Sequence, residues 1–117
     1  MPTKWSDNIA LWELSDEPML SEDLATLIAG AEIPSSRTSH LVLNLSDVSY
    51  VNSSNLGQLL KLRRLLGQDR KTLVLCGTSE DVYSVMKVTG LDRMFRFASD
   101  PLTALAALQI EEEAAGD

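Results

Sequence analysis

The chain has 117 residues, 44% of them hydrophobic and 23% charged, with a net charge of -7, which suits one folded domain with a single core rather than a disordered or fibrous protein. The negative balance argues against a general nucleic-acid binder or an anionic-membrane binder, since both need a basic face, and it would steer a partner with a basic surface toward the chain. The single cysteine, Cys76, excludes an internal disulfide; the start MPTKWSDN lacks the apolar stretch of a signal peptide; and no apolar run approaches the roughly 18 residues of a membrane span, so a soluble cytoplasmic protein is expected.

Asn8 to Leu14, NIALWEL, reads as the first clear strand, and Met1 to Ser6 adds another if it pairs as an edge. Ser15 to Pro18 is turn-like. Ser21 is placed to cap a helix running through Glu32, with Glu22 and Asp23 in its first turn, where carboxylates suit the helix dipole. Leu24, Leu27, Ile28 and Ala31 fall on one face of that helix. Pro34 to Ser39 reads as a loop, and Leu41 to Leu45 as a buried central strand. A long helix follows from about Ser54 to Gln68, with Leu56, Leu59, Leu60, Leu62 and Leu66 as its apolar stripe and Gly67 near its end.

Thr72 to Cys76 is a second buried-looking strand, and Gly77 turns the chain. Thr78, with Asp81 three residues on, is expected to cap a helix that carries Val82, Val85 and Met86 and ends at Gly90. Met94 to Ala98 reads as a short strand. Asp100 and Pro101 are a strong N-cap and N1 pair. In the helix they start, Leu102, Leu105, Ala106 and Leu108 are expected to face the core, and the tail EEEAAGD to fray into solvent. Strand and helix thus alternate, which implies a mostly parallel sheet with right-handed crossovers. The expected fold is a single α/β domain over residues 1–117: a four- to five-stranded mixed sheet with about four helices, a core over about 8–108 and an acidic tail over 109–117. Helices on only one face of the sheet would also fit so short a chain.

Catalytic signatures are missing. There is no phosphate-binding loop ending in Lys-Ser or Lys-Thr and no G-x-G-x-x-G after a strand. With His40 the sole histidine and Cys76 the sole cysteine, a zinc site is not expected. A Ser-His-Asp triad would have to use His40, at the expected exposed start of a strand and far from any helix-capping serine. Cys76, among Leu73, Val74 and Leu75, reads as a core residue. Trp5 and Trp12 read as core or edge packing. The cluster Lys61, Arg63, Arg64, Arg70 and Lys71 reads first as a solvated helix face, with a docking patch as the alternative. Asp47 after a central strand, with Asp16-Glu17, imitates the acidic residues of a phospho-accepting receiver domain, but the final strand MFRFAS has no lysine to complete that set. A non-enzyme without cofactor or metal is expected.

The stretch from His40 to Gly67 carries the functional signal. An apolar strand runs into Ser53-Ser54, and a Leu-rich helix starts at once, so two hydroxyls sit at the positive end of a helix. Val42 to Leu60, VLNLSDVSYVNSSNLGQLL, resembles the signature of STAS domains, the family of bacterial anti-sigma factor antagonists: an apolar strand, then Asp-Ser-Ser-Gly-Leu-Gly, then a Leu-rich helix. TLVLCGTSEDVYSVMKVTGLDRMFRFASDPLTAL is similar to the second half of the family, and together the resemblance spans about Asn8 to Leu108. It implies a protein-binding switch in which Ser53 accepts phosphate from a partner serine kinase. Unphosphorylated, the domain would bind that kinase and anti-sigma factor; phosphorylated, it would let go; a partner phosphatase would reset it, and ATP would belong to the partner. Asn52, Ser53, Ser54, Asn55 and Gly57 would form the contact surface, with Gly57 allowing close approach.

Two positions depart from the family pattern: Asn52 replaces its Asp, and Asn55 its Gly. Asn52 keeps capping ability and loses a charge, while Asn55 adds a side chain next to the serines. The plainer reading of Ser53 and Ser54 is as helix caps. Within the same fold, the alternatives are an accessory subunit of a lipid-transport ATPase complex, with no phosphate cycle, or a scaffold subunit of a large stress-signalling assembly.

Overall fold

In the computed structural model, which describes residues 2–6, 8–33 and 39–115, the elements run β1 (Pro2–Ser6), β2 (Ile9–Ser15), α1 (Met19–Glu32), β3 (His40–Asp47), α2 (Ser53–Gln68), β4 (Leu73–Cys76), α3 (Glu80–Val88), β5 (Arg96–Ala98) and α4 (Pro101–Ala115), with one 3-10 turn at Leu91–Arg93. The five strands form a single sheet in sequence order. β1 pairs antiparallel with β2, and β2 through β5 are parallel, so the sheet is mixed. The conditional N-terminal strand is therefore present.

Side chains alternate across a strand, and here both faces of the sheet are used. Leu41, Leu43, Leu45, Leu73 and Leu75 point to one face and meet α1, α2 and α3 through Leu24, Leu59, Leu62, Val82 and Met86. Val42, Val74 and Cys76 point to the other and meet Ala104, Leu105 and Leu108 of α4. Each fully buried Leu contributes about 1.5–3 kcal/mol of transfer free energy. The one-faced alternative does not hold: α4 covers the opposite face. Among the described residues, no helix is long and apolar enough to cross a membrane.

Several local expectations shift. Ser21 is not a cap: α1 starts two residues earlier at Met19, and the Ser21 N–H instead donates to Glu17 Oε1 at 2.6 Å. Ser79, not Thr78, caps α3, its hydroxyl accepting from the Val82 N–H at 3.2 Å. β5 starts at Arg96 rather than Met94, because a 3-10 turn precedes it. Of the expected core face of α4, Leu105 and Leu108 are buried while Leu102 and Ala106 are exposed; Ala104 takes their place. The acidic tail stays helical to Ala115 and is tied back, Glu111 to Arg96 and Glu112 to Asn8. His40 is half-buried, not exposed. Of the expected loop Pro34 to Ser39, residues 34–38 lie outside the described residues.

Asp100 does cap α4, accepting from the Thr103 N–H at 2.8 Å. Gly77 at the end of β4 has φ +66°, and a Cβ there would lie 2.3 Å from Ser46 Oγ, so only glycine fits that turn.

Candidate functional site

The loop from β3 to α2 is pinned from inside by Val48 and Val51, both buried, while Tyr50 between them is 64% exposed. It is pinned from outside by Asp16, in the β2–α1 connection. The Asp16 carboxylate accepts from the Ser49 N–H at 2.8 Å and the Ser49 hydroxyl at 2.6 Å. These bonds, the hydroxyl first, hold the Asp16 carboxyl below the usual carboxylate range.

At the start of α2, Asn52 is the N-cap. Its side chain accepts from the Asn55 N–H at 2.8 Å, and the Asn55 side chain accepts from the Asn52 N–H at 3.0 Å, a capping box built from two asparagines. The remaining Asn55 amide group points to Glu17 Oε2 at 3.4 Å. Glu17 thus touches the first turns of both α1 and α2, and its bond from the Ser21 N–H is the main reason its carboxyl sits below its ordinary range. Gln58 adds a further tie, donating to the Ser21 carbonyl at 3.0 Å.

The capping box leaves Ser53 and Ser54 with nothing to cap. They are the first two helical residues, both exposed, and neither their hydroxyls nor their N–H groups have a hydrogen-bond partner among the described residues. Free N–H groups at a helix N-terminus attract an anion. Gly57, one turn on, is exposed, and nothing lies within 4 Å of where its Cβ would be. Asn55 was expected on the contact surface. It is the sole buried polar residue among those described, at 0% exposure, because its amide is turned inward into the box. Asn52 is half-buried for the same reason. Two exposed apolar residues lie on the connections beside the serines, Tyr50 before α2 and the half-exposed Met19 at the start of α1. Neither has a local signal: their exposure follows from how the two loops meet.

His40 lies at the opposite end of β3, about 23 Å along an eight-residue strand from the serine turn, and its Nδ1 accepts from the Thr72 N–H at 3.0 Å. Asp16 and Glu17 are occupied in tying loops together. No group of three or more His, Cys, Asp or Glu able to hold a metal occurs among the described residues. Cys76 is fully buried, and its thiol pKa is pushed up to about 11, chiefly by burial.

A STAS domain family model matches residues 6–104. The anti-sigma F factor antagonist of Paenibacillus polymyxa is 22% identical over 90 residues, which cover 77% of each chain. Among solved structures, a sulfate transporter family protein from Wolinella succinogenes aligns with TM-score 0.80 at 15% identity, covering 95% of this chain and 93% of that one. A Ser-to-Glu variant of RsbS from Moorella thermoacetica aligns with TM-score 0.77 at 19% identity, covering 97% of each.

Proposed function

The chain belongs to the STAS domain family, and from that premise we propose that it is an anti-sigma factor antagonist-like signalling protein switched by phosphorylation of Ser53. Unmodified, the surface made by Tyr50, Ser53, Ser54, Gly57 and Met19 binds a partner serine kinase that is also an anti-sigma factor. Phosphate on Ser53 releases it, and a phosphatase restores binding. The observation that carries this reading is the exposed Ser53 hydroxyl on the first residue of α2, without a hydrogen-bond partner among the described residues and freed from capping by the asparagine box.

A phosphate there adds nearly two negative charges beside free helix N–H groups. The turn itself offers no counter-cation: residues 46–58 contain no Lys or Arg. The new charge therefore faces the partner and acts by local repulsion at the contact. The similarity to the Paenibacillus antagonist supports the same reading.

The test is phosphosite mapping on the protein recovered from its own cells, in growth and under stress. Phosphate on Ser53 that changes with condition is the expected result. A well-covered Ser53 peptide that is never phosphorylated overturns the switch. A second reading, constitutive docking through the same surface, is favoured by one observation: Asn52 and Asn55 bond each other where the family pattern has Asp and Gly, so the turn has no carboxylate next to Ser53 in sequence.

A further inference from the structure

More than half of the cations of this acidic chain line one groove. Six of its ten Lys and Arg residues, Lys61, Arg63, Arg64, Lys71, Arg93 and Arg96, line an open groove of about 1040 Å³ between the C-terminal half of α2 and the segment leading into β5. No Asp or Glu lines it, and its apolar lining comes from Leu60, Leu73, Met94 and Phe95. Lys61 pairs with Glu32 at 3.6 Å, and Arg96 pairs with Glu111. Arg63, Arg64, Lys71 and Arg93 have no ion-pair partner among the described residues. Nucleic acid would meet a chain of net charge -7. The groove suits a segment that is both apolar and acidic.

The chain carries such a segment on another surface. α4 is apolar on two sides: Ala104, Leu105 and Leu108 pack on the sheet, while Leu102, Ala106 and Ile110 form a solvent stripe at i, i+4, i+8 spacing. Leu102 is 66% and Ile110 65% exposed. An apolar stripe on a surface helix is normally covered by a partner face. Glu113 stands at the end of the stripe, bonded among the described residues only by the Gln109 side-chain amide. From Leu102 to Ile110 the stripe is about 12 Å long, as is the α2 wall of the groove from Leu60 to Gln68.

We propose that α4 of a second copy of this chain lies in the groove, with Leu102 and Ile110 on its apolar lining and Glu113 among Arg63, Arg64 and Arg93. Groove and stripe are different surfaces of one molecule, so the contact is head-to-tail, and it builds rings or open filaments rather than a two-fold dimer. It lies at the far end of α2 from Ser53 and does not depend on the phosphorylation reading.

The test is analytical ultracentrifugation of the full chain up to about 1 mM, a range that reaches weak contacts, at roughly 0.1 M and 1 M salt. Species larger than a monomer should grow with concentration and shrink at high salt. Arg63→Glu with Arg64→Glu, and separately Leu102→Lys with Ile110→Lys, should each weaken association about tenfold or more; all four positions are exposed, so folding should be retained by circular dichroism. Each double variant keeps one intact surface, so an equal mixture of the two should form a dimer that grows no further. A wild-type chain that stays monomeric at low salt overturns the proposal, whatever the variants do. A mixture of the two variants that stays monomeric overturns it as well.

Discussion

Asn52 and Asn55 each complete the other's backbone: the side chain of one accepts the N–H of the other, at 2.8 and 3.0 Å. This reciprocal pair sets the start of α2 and leaves Ser53 and Ser54 free between its two members. Replacing Asn52 by Ala removes an N-cap and should cost about 1 kcal/mol. Replacing the buried Asn55 by Ala leaves the Asn52 N–H without its acceptor and should cost about 1–3 kcal/mol. The two residues share one structure, so the double variant should lose less than the sum of the singles. Urea unfolding measures all three, and strict additivity would contradict a shared box.

The glycines should separate cleanly. Gly57→Ala, in a helix with open space around it, should stabilise the fold by about 0.5–1 kcal/mol. If Gly57 meets the partner, the same variant should bind it more weakly despite being more stable. Gly90→Ala should cost about 1–2 kcal/mol, the penalty of its φ of +78° alone. Gly77→Ala adds a clash with Ser46 Oγ and Asn44 Oδ1 and should cost about 1–3 kcal/mol more than Gly90→Ala. Thermal melts of the three variants give the order.

Acid should unfold the protein through a few identifiable carboxylates. Asp16, Glu17, Asp100 and Glu111 are all held below their ordinary values, mainly by hydrogen bonds from Ser49, Ser21, Thr103 and Arg96 respectively. A lowered folded-state pKa means stability that is present above the unfolded value and lost as pH falls through the folded one. For Asp16 that loss therefore lies below 3.8. Below about pH 4 these carboxylates should make urea midpoints fall steeply. Asp16→Asn should shallow the fall, and an unchanged acid limb would count against the Ser49 contact.

His40 should act in a separate window. Burial, then Lys71 and Arg96, push its pKa below 6.5, against the opposing pull of Glu112 and Glu111. Glu112 lies 3.9 Å from its Nε2, yet burial outweighs that attraction. Protonation would also end the acceptance of the Thr72 N–H at Nδ1. The unfolded chain binds this proton more readily, so stability is complete above 6.5 and declines as pH falls from there to the folded-state value. The slope of unfolding free energy over that window should be positive in the wild type and vanish in His40→Gln.

Cys76 should be inert while the chain is folded. Its thiol is fully buried with a pKa raised to about 11, so thiolate is scarce near neutral pH. Labelling by a thiol-specific disulfide reagent should be slow in buffer and fast in denaturant. Fast labelling of the native protein would place Cys76 outside the core.

The sequence by itself determined what depends on near neighbours. Short continuous runs of branched apolar residues set β3 and β4, Asp100-Pro101 set the start of α4, and the strand–serine–helix run marked the candidate site, because apolar runs, capping and turn chemistry act over a few residues. Only the tertiary structure decided which of several candidates each neighbourhood would use. α4 is apolar on both sides, so its periodicity did not say whether Leu102 or Ala104 would meet the sheet; packing against Val42 and Val74 did. Ser21 and Thr78 were plausible caps, but Glu17 and Ser79 hold those helix starts. The contact between Glu17 and Asn55 spans 38 residues, and the groove joins Arg93 and Arg96 to a cluster on α2 that the sequence shows only in part. Such contacts carry no local signature, since they form only when the parallel strands bring their connections to common edges of the sheet.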